Sequence, residues 1–413
     1  MTNFNPDIIH NDFRDGKIDK DTAAHHLITF IKNKEDSRYR IDAINILGEI
    51  GATNKEVFEL LENIIVSTNL SITTAPATKI LVNNFPKKCV KPLLWAVQND
   101  EIFERSTVIF DYVWWNDNPA FDILKEELFK KFEEFIREKE DEGLFHEEAI
   151  VMALLQRFSH KIHRVNFDQD TENLSWGDLR YYYKVNQDGY IIELFFSPHG
   201  ISYMPENIYR LKYLEQFTSM DGELQRLPET IGNLKKLKKL NLMANQLTIL
   251  PESIGDLENL EEFNLAYNYL QSLPNSIGNL KNLRILNLED NNIKKLPLSI
   301  KNLESLEELY LSGNNIEIFP DAILNLKNLK NLSLGGNRIK FIPDSINRLK
   351  KLKKLGLTQN ELNNLPSTIT DLKDLENLSL SGNNFEVVPE FLENLKNLES
   401  LELGINKLKT LPD

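Results

Sequence analysis

Prolines fall at Pro205, Pro228, Pro251, Pro274, Pro297, Pro320, Pro343, Pro366, Pro389 and Pro412, each 23 residues after the last. Asparagines keep the same step from Asn245 through Asn268, Asn291, Asn314, Asn337, Asn360 and Asn383 to Asn406. A fixed period restricts the fold more than any single residue does, because each period is one supersecondary unit and units of equal length stack on one another. One unit reads Leu234, Leu237, Leu240, Leu242, Asn245, Leu247, Leu250, Pro251, Ile254. Leu240 and Leu242 alternate with Lys239, Asn241 and Met243, which predicts a short strand with leucines inward and the others on an open face. Asn245 leaves the strand, and its amide can serve turn backbone in neighbouring coils. Leu247 and Leu250 turn the chain back under the core, Pro251 sits where no ladder N–H is needed, and Ile254 and Leu257 anchor the convex return. One coil alone buries too little apolar surface to offset the entropy of ordering its backbone. The coils must therefore share their leucines side by side.

The pattern L-x-x-L-x-L-x-x-N-x-L, followed by Leu-Pro-x-x-Ile, resembles the leucine-rich-repeat family in the 23-residue form of the intracellular Ras-group class. The resemblance covers about 188–413 and implies an α+β chain. Its second half would be a right-handed solenoid of ten repeats, the last incomplete, with short parallel strands lining a concave sheet. His199 and Gly222 replace the asparagine in the first two coils, as terminal repeats commonly do. The resemblance also implies a non-enzymatic scaffold for protein–protein interaction, with partners among Ras-like small GTPases or other signalling complexes.

Residues 1–165 lack the leucine code and show helical periodicity. Helices are expected over Asp21–Lys32, Asp36–Ile50, Lys55–Val66, Ile72–Asn84, Pro86–Gln98, Glu101–Trp114, Pro119–Lys139 and Leu144–Phe158. In Asp36–Ile50, Ile41, Ile44, Leu47 and Ile50 share one side and Gly51 is the stop. The run Arg40–Gly51 resembles the first helix of a HEAT-like repeat, and Phe85–Leu94 a second-helix start; an ordinary helical bundle is the alternative. Residues 166–187 are assigned as a linker and cap strand before the repeat domain 188–413. Leu179–Val185, the Asn186-Gln187-Asp188-Gly189 turn and Tyr190–Phe196 read as a hairpin, whose first strand pairs with the first repeat strand. Trp176 is expected over the end of the core. At the other end Leu398, Leu401, Leu403, Leu408 and Leu411 should form a partly open apolar edge, and a homodimer through that edge is the alternative to simple solvation.

Acid outweighs base, 48 Lys and Arg against 62 Asp and Glu, for a net charge of −14. That balance disfavours nucleic acid and anionic membrane as partners. The start of the chain lacks a basic n-region and an apolar h-region, and Cys89 is the sole cysteine, so a reducing, cytoplasmic location is expected. No phosphate loop of the G-x-x-x-x-G-K type occurs. His160 and His163 stand three apart without a third ligand beside them, and His146-Glu147-Glu148 is not a zinc signature, so no cofactor or metal is expected. Cys89 reads as a small core residue.

Equivalent positions of successive coils form ladders. Glu215, Lys238, Glu261, Arg284, Glu307 and Lys330 alternate in sign, a register-setting ladder. Asn241, Asn264, Asn287 and Tyr310 form an inner ladder, with Met220, Met243, Ala266 and Glu289 alongside. Ala244, Tyr267 and Asp290 flank these, with Glu262 and Glu308 on the other side and Arg338 on the next turn. Tyrosine and arginine most often dominate interface energy, so this mid-solenoid face is the expected partner-binding site, its acids favouring a basic partner surface. Two other readings stay open: a regulatory or substrate-recognition subunit of an enzyme acting in ubiquitin transfer or GTPase regulation, and a self-assembling structural solenoid.

Overall fold

The computed structural model describes residues 5–33, 37–66, 73–100, 104–113, 116, 118–156, 163–164, 181–196 and 204–410. His160, Trp176, His199 and Leu411 lie outside these residues. Contacts divide the chain into two compact units, residues 1–158 and 159–413.

In the second unit the alternating apolar triplets form strands, all in one sheet in chain order. They are β1 (His163–Arg164), β2 (Tyr181–Val185), β3 (Ile191–Phe196), β4 (Gln216–Thr218), β5 (Lys239–Asn241), β6 (Glu262–Asn264), β7 (Ile285–Asn287), β8 (Glu308–Tyr310), β9 (Asn331–Ser333), β10 (Lys354–Gly356), β11 (Asn377–Ser379) and β12 (Ser400–Glu402). From β3 onward neighbours are parallel, in a register equal to the sequence period: Leu240 faces Phe263, and Phe263 faces Leu286. The expected hairpin is present. β2 runs antiparallel to β3, the first repeat strand, and Gly189 in the turn has φ 90°. β1, which the sequence reading did not mark, adds in parallel to β2.

Each coil returns on its convex side through one turn of 3-10 helix. Pro251, with φ −68°, precedes the helix Glu252–Asp256, where its missing N–H costs nothing. Equivalent turns recur from Glu206–Arg210 to Glu390–Asn394. Leu240, Leu242, Leu247, Ile254 and Leu257 are buried. Between strand and return sits the asparagine spine. Asn291 Nδ2 donates to the carbonyls of Leu265 and Leu288 at 3.0 and 3.1 Å, and its Oδ1 accepts from the Leu270 N–H at 3.0 Å. The side chain thus ties its own coil to the one before it, as the sequence predicts for this position. In the last coil Leu401 is 37% exposed, and Leu398, Leu403 and Leu408 are half-buried.

The first unit is helical: α1 (Pro6–Arg14), α2 (Lys20–Asn33), α3 (Ser37–Glu49), α4 (Lys55–Val66), α5 (Thr74–Asn84), α6 (Val90–Gln98), α7 (Glu104–Val113), α8 (Asp122–Asp141) and α9 (His146–Gln156). Consecutive helices pair as α2 with α3, α4 with α5, α6 with α7 and α8 with α9, and every helix from α1 to α6 also touches the next but one. That is a stack of helical hairpins in two layers. α1 was not expected from periodicity; Asn5 caps it by accepting the Asp7 N–H at 3.0 Å, and Pro6 starts it. Pro86 ends α5 by keeping Phe85 out of helical geometry (φ −133°), and α6 begins four residues later, after a separate turn in which the Lys88 and Cys89 N–H groups donate to the Phe85 carbonyl. α8 begins after a 3-10 turn, Pro119–Phe121, capped by Asn118, and runs two residues past Lys139. Cys89 is buried, and burial pushes its thiol up to about 12. No described helix is long and apolar enough to cross a membrane.

Candidate functional site

The concave face is built from residues that alternate with the buried leucines of β4 to β9. Asn241 lies opposite Asn264, Asn264 opposite Asn287, and Asn287 opposite Tyr310. Each asparagine is fixed by its own strand end: Oδ1 of Asn241, Asn264 and Asn287 accepts the N–H of Met243, Ala266 and Glu289 at 3.1, 3.1 and 3.0 Å. Their NH2 groups have no partner among the described residues. The result is a line of three pre-oriented donors, about 5 Å apart.

Tyr310 ends this line. Its hydroxyl donates to the Glu308 carboxylate and accepts from Asn331 Nδ2 at 3.1 Å. Burial, then that bond to Glu308, pushes the phenol up to about 12. A tyrosine held at both sides of its hydroxyl is a rigid wall that needs little further ordering when a ligand arrives. Glu289 is half-buried beside it, and burial, followed by the neighbouring Asp290 carboxylate, raises its pKa above the ordinary 4.5. Its ionised form is thus incompletely solvated, and a cation placed there would relieve it.

Glu262 and Glu308 are both on the strand face, separated by Ile285 across β7. Glu262 is drawn toward Lys239, at 2.8 Å, so Glu308 and Glu289 are the less neutralised acids. Met220 and Met243 are half-buried two coils and one coil before Ala266, which is itself buried, and this row turns polar only at Glu289. Tyr267 and Asp290 stand on the rim. Both have left-handed backbone, φ 56° and 50°, at a position that is glycine in Gly313, Gly336 and Gly382. Their N–H groups donate to Glu289 and Ser312 carbonyls of the next coil at 2.9 and 2.8 Å, which holds the unusual conformation. Arg338 is not brought to the strand row; it lies on the turn edge two residues past Gly336, its N–H on the Ile316 carbonyl at 2.9 Å.

The charge ladder behaves as its alternation predicts. Lys238 meets Glu215 at 2.8 Å, and Glu307 takes both Arg284 and Lys330, at 3.3 and 2.9 Å. The bond from Lys330, then that from Arg284, holds the Glu307 carboxyl below its ordinary range. Sequence reasoning missed Ile285, Asn331 and Tyr269 (53% exposed, two residues past Tyr267 on the rim). Ile285 was findable, since it stands one period after Glu262; Asn331 was not, because its role depends on where the Tyr310 ring lies.

A family profile described as leucine-rich repeat region matches residues 263–338 and 321–411. Among solved structures, a leucine-rich-repeat protein of Leptospira interrogans is 34% identical over 58% of this chain and 71% of its own, at a TM-score of 0.40. The plant peptide hormone receptor RGFR1 in complex with RGF2 is 26% identical over 58% of this chain and 38% of that one, with a TM-score of 0.47. The Arabidopsis receptor kinase HAESA, in complex with the peptide hormone IDA and the co-receptor SERK1, is 26% identical over 55% and 44%, with a TM-score of 0.45. The chain spans less than half the length of these two plant receptor chains. No curated protein matches it. With the 23-residue register and the asparagine spine in place, the repeat profile and the 34% identity over 71% of the Leptospira protein show that the chain belongs to the leucine-rich-repeat proteins.

Proposed function

We propose that this protein is a binding scaffold whose concave face across β5–β8 holds an extended, basic segment of a partner protein. The observation that carries the reading is the line of three asparagine NH2 donors ending at Tyr310, bordered by Glu289, Asp290 and Glu308. An extended backbone laid along the line presents carbonyls to the asparagines, and its Lys or Arg side chains reach the acids. Tyr267 and Tyr310 supply aromatic contact area at low entropic cost. Met220, Met243, Glu262 and Asn264 extend the face toward the N-terminal coils, and Arg338 sets its limit on the rim.

The 23-residue repeat with Leu-Pro-x-x-Ile supports an assignment to the intracellular Ras-group class. On that reading the partner is a Ras-like small GTPase or another cytoplasmic signalling complex. The stacked hairpins α2–α9 support a HEAT-like array in the first unit.

Fluorescence anisotropy with dye-labelled basic, neutral and acidic peptides tests the chemistry of the face. The basic peptide should bind with the highest affinity, and Glu289→Gln with Glu308→Gln should weaken it about tenfold, the equivalent of roughly 1.4 kcal/mol. Equal binding of all three peptides, or no response to the double substitution, removes the concave reading.

A further inference from the structure

A second surface, on the turn side of the solenoid, sets large exposed apolar side chains beside unpaired cations and is independent of the concave reading. Four residues after each spine asparagine the chain carries Ile249, Ser272, Lys295, Ile318, Phe341, Asn364, Val387 and Thr410. Val387 and Thr410 pair directly in parallel, so this row also runs in register from coil to coil, at about 5 Å spacing. The N–H groups of Asn315 and Arg338 donate to the carbonyls of Ile293 and Ile316, both at 2.9 Å, which keeps the same order two to three residues earlier. Lys295, Ile318 and Phe341 therefore follow one another across three coils.

Ile318 is 77% exposed and Phe341 72%, and Leu298, three residues past Lys295, is 77% exposed. None of the three contributes to the core. Large apolar side chains this exposed on three consecutive coils form a patch that folding does not require.

The charges around it are also exceptional. On the strand side Lys238 has Glu215, Lys330 has Glu307 and Lys353 has Glu376, at 2.8, 2.9 and 2.6 Å. On the turn side, Lys294, Lys295 and Arg338 make no ion pair among the described residues, and Lys340 meets Glu361 only at 3.7 Å. Segments 290–295, 313–318 and 336–341 hold these four cations against Asp290 and Glu317, 4 − 2 = +2, in a chain whose net charge is −14. An apolar centre with unpaired cations beside it has the anatomy of a hot spot and its rim.

We propose that this rim docks an acidic protein segment that carries a large apolar side chain between its carboxylates. Ile318 and Phe341 take the apolar side chain, while Lys294, Lys295 and Arg338 take the carboxylates. Both halves of the ligand are needed: the cations alone would accept any anion, and the apolar pair alone any hydrophobe.

The probe is a short dye-labelled peptide in which Glu alternates with Leu and Phe, titrated into the full chain and read by anisotropy. Control peptides replace Glu by Gln or Lys, or replace Leu and Phe by Ala. The acidic apolar peptide should bind saturably and lose about tenfold in affinity with Phe341→Ser, with Ile318→Ser, and with Lys294→Glu plus Arg338→Glu. Tyr310→Ala should leave it unchanged, which separates this surface from the concave one. These side chains are exposed, so the variants should keep the wild-type circular dichroism; two independent serine substitutions guard against one that does not. The inference is overturned if the peptide fails to bind the wild-type chain, if the Gln or Ala control binds equally well, or if a single-stranded oligonucleotide binds and competes better than the peptide. A concentration-dependent dimer abolished by Phe341→Ser would overturn it too, assigning the patch to a second copy.

Discussion

A single spine residue such as Asn291 makes its contribution through what it leaves satisfied. Its amide serves the carbonyls of Leu265, Leu288 and Glu289 and the N–H of Leu270, while only 5% exposed. Asn291→Ala should cost about 2–4 kcal/mol, since several buried backbone groups lose their partner at once; a urea midpoint that barely moves would refute that role. Glu289 is the opposite case, a residue held against its own stability. Its native pKa lies above the unfolded 4.5, so the protonated form is favoured by folding. The stability it contributes is present below the ordinary carboxylate pKa and is lost as pH rises through the raised native value. Glu289→Gln should therefore flatten this part of the pH dependence and leave the protein at least as stable at neutral pH, as urea melts across pH 4 to 7 would register. Binding of a basic partner should run the other way and strengthen as Glu289 ionises. The spine was legible in the sequence because its spacing is strict. The strain on Glu289 was not, because it arises from burial beside Tyr310 and Asp290, which a ladder of letters does not contain.

At the level of the element, the repeat is legible on its strand side and less so on its convex side. The strand triplets alternate in the sequence, and all pair in the expected register. The convex turn depends on close approach between coils. A Cβ on Gly255 would stand 2.4 Å from the Ser276 carbonyl oxygen, and Gly232 and Gly278 are placed alike against Ser253 and Ser299. Gly255→Ala must push two coils apart and should cost about 2 kcal/mol or more. Gly404→Ala, whose added carbon meets nothing closer than the Ser381 hydroxyl at 3.6 Å, should stay within about 0.5 kcal/mol of wild type. Equal effects in thermal melts would deny the tight convex packing. Among the helices, α4 follows its apolar period end to end, whereas the start of α1 and the end of α5 are decided by a cap and a proline, signals carried by one residue each.

On the scale of the whole molecule, a net charge of −14 hides two surfaces of opposite character on one solenoid. The acidic total disfavoured nucleic acid and anionic membrane, and the expectation of a basic partner came from the concave acids. The cationic rim from Lys294 to Phe341 was not visible in the total, because its excess of two charges is swamped by acids elsewhere. The fold was readable from period alone; the binding chemistry needed the side chains placed. The most direct test of the concave reading is quantitative affinity capture from native lysate, comparing the wild-type chain with a variant combining Asn287→Ala, Glu289→Gln and Tyr310→Ala and with the single variant Phe341→Ser. At least one protein enriched by the wild type should fall about tenfold with the concave variant, stay with the rim variant, and be released by raised salt. If the concave variant captures the same proteins in the same amounts, the face across β5–β8 is not the binding site.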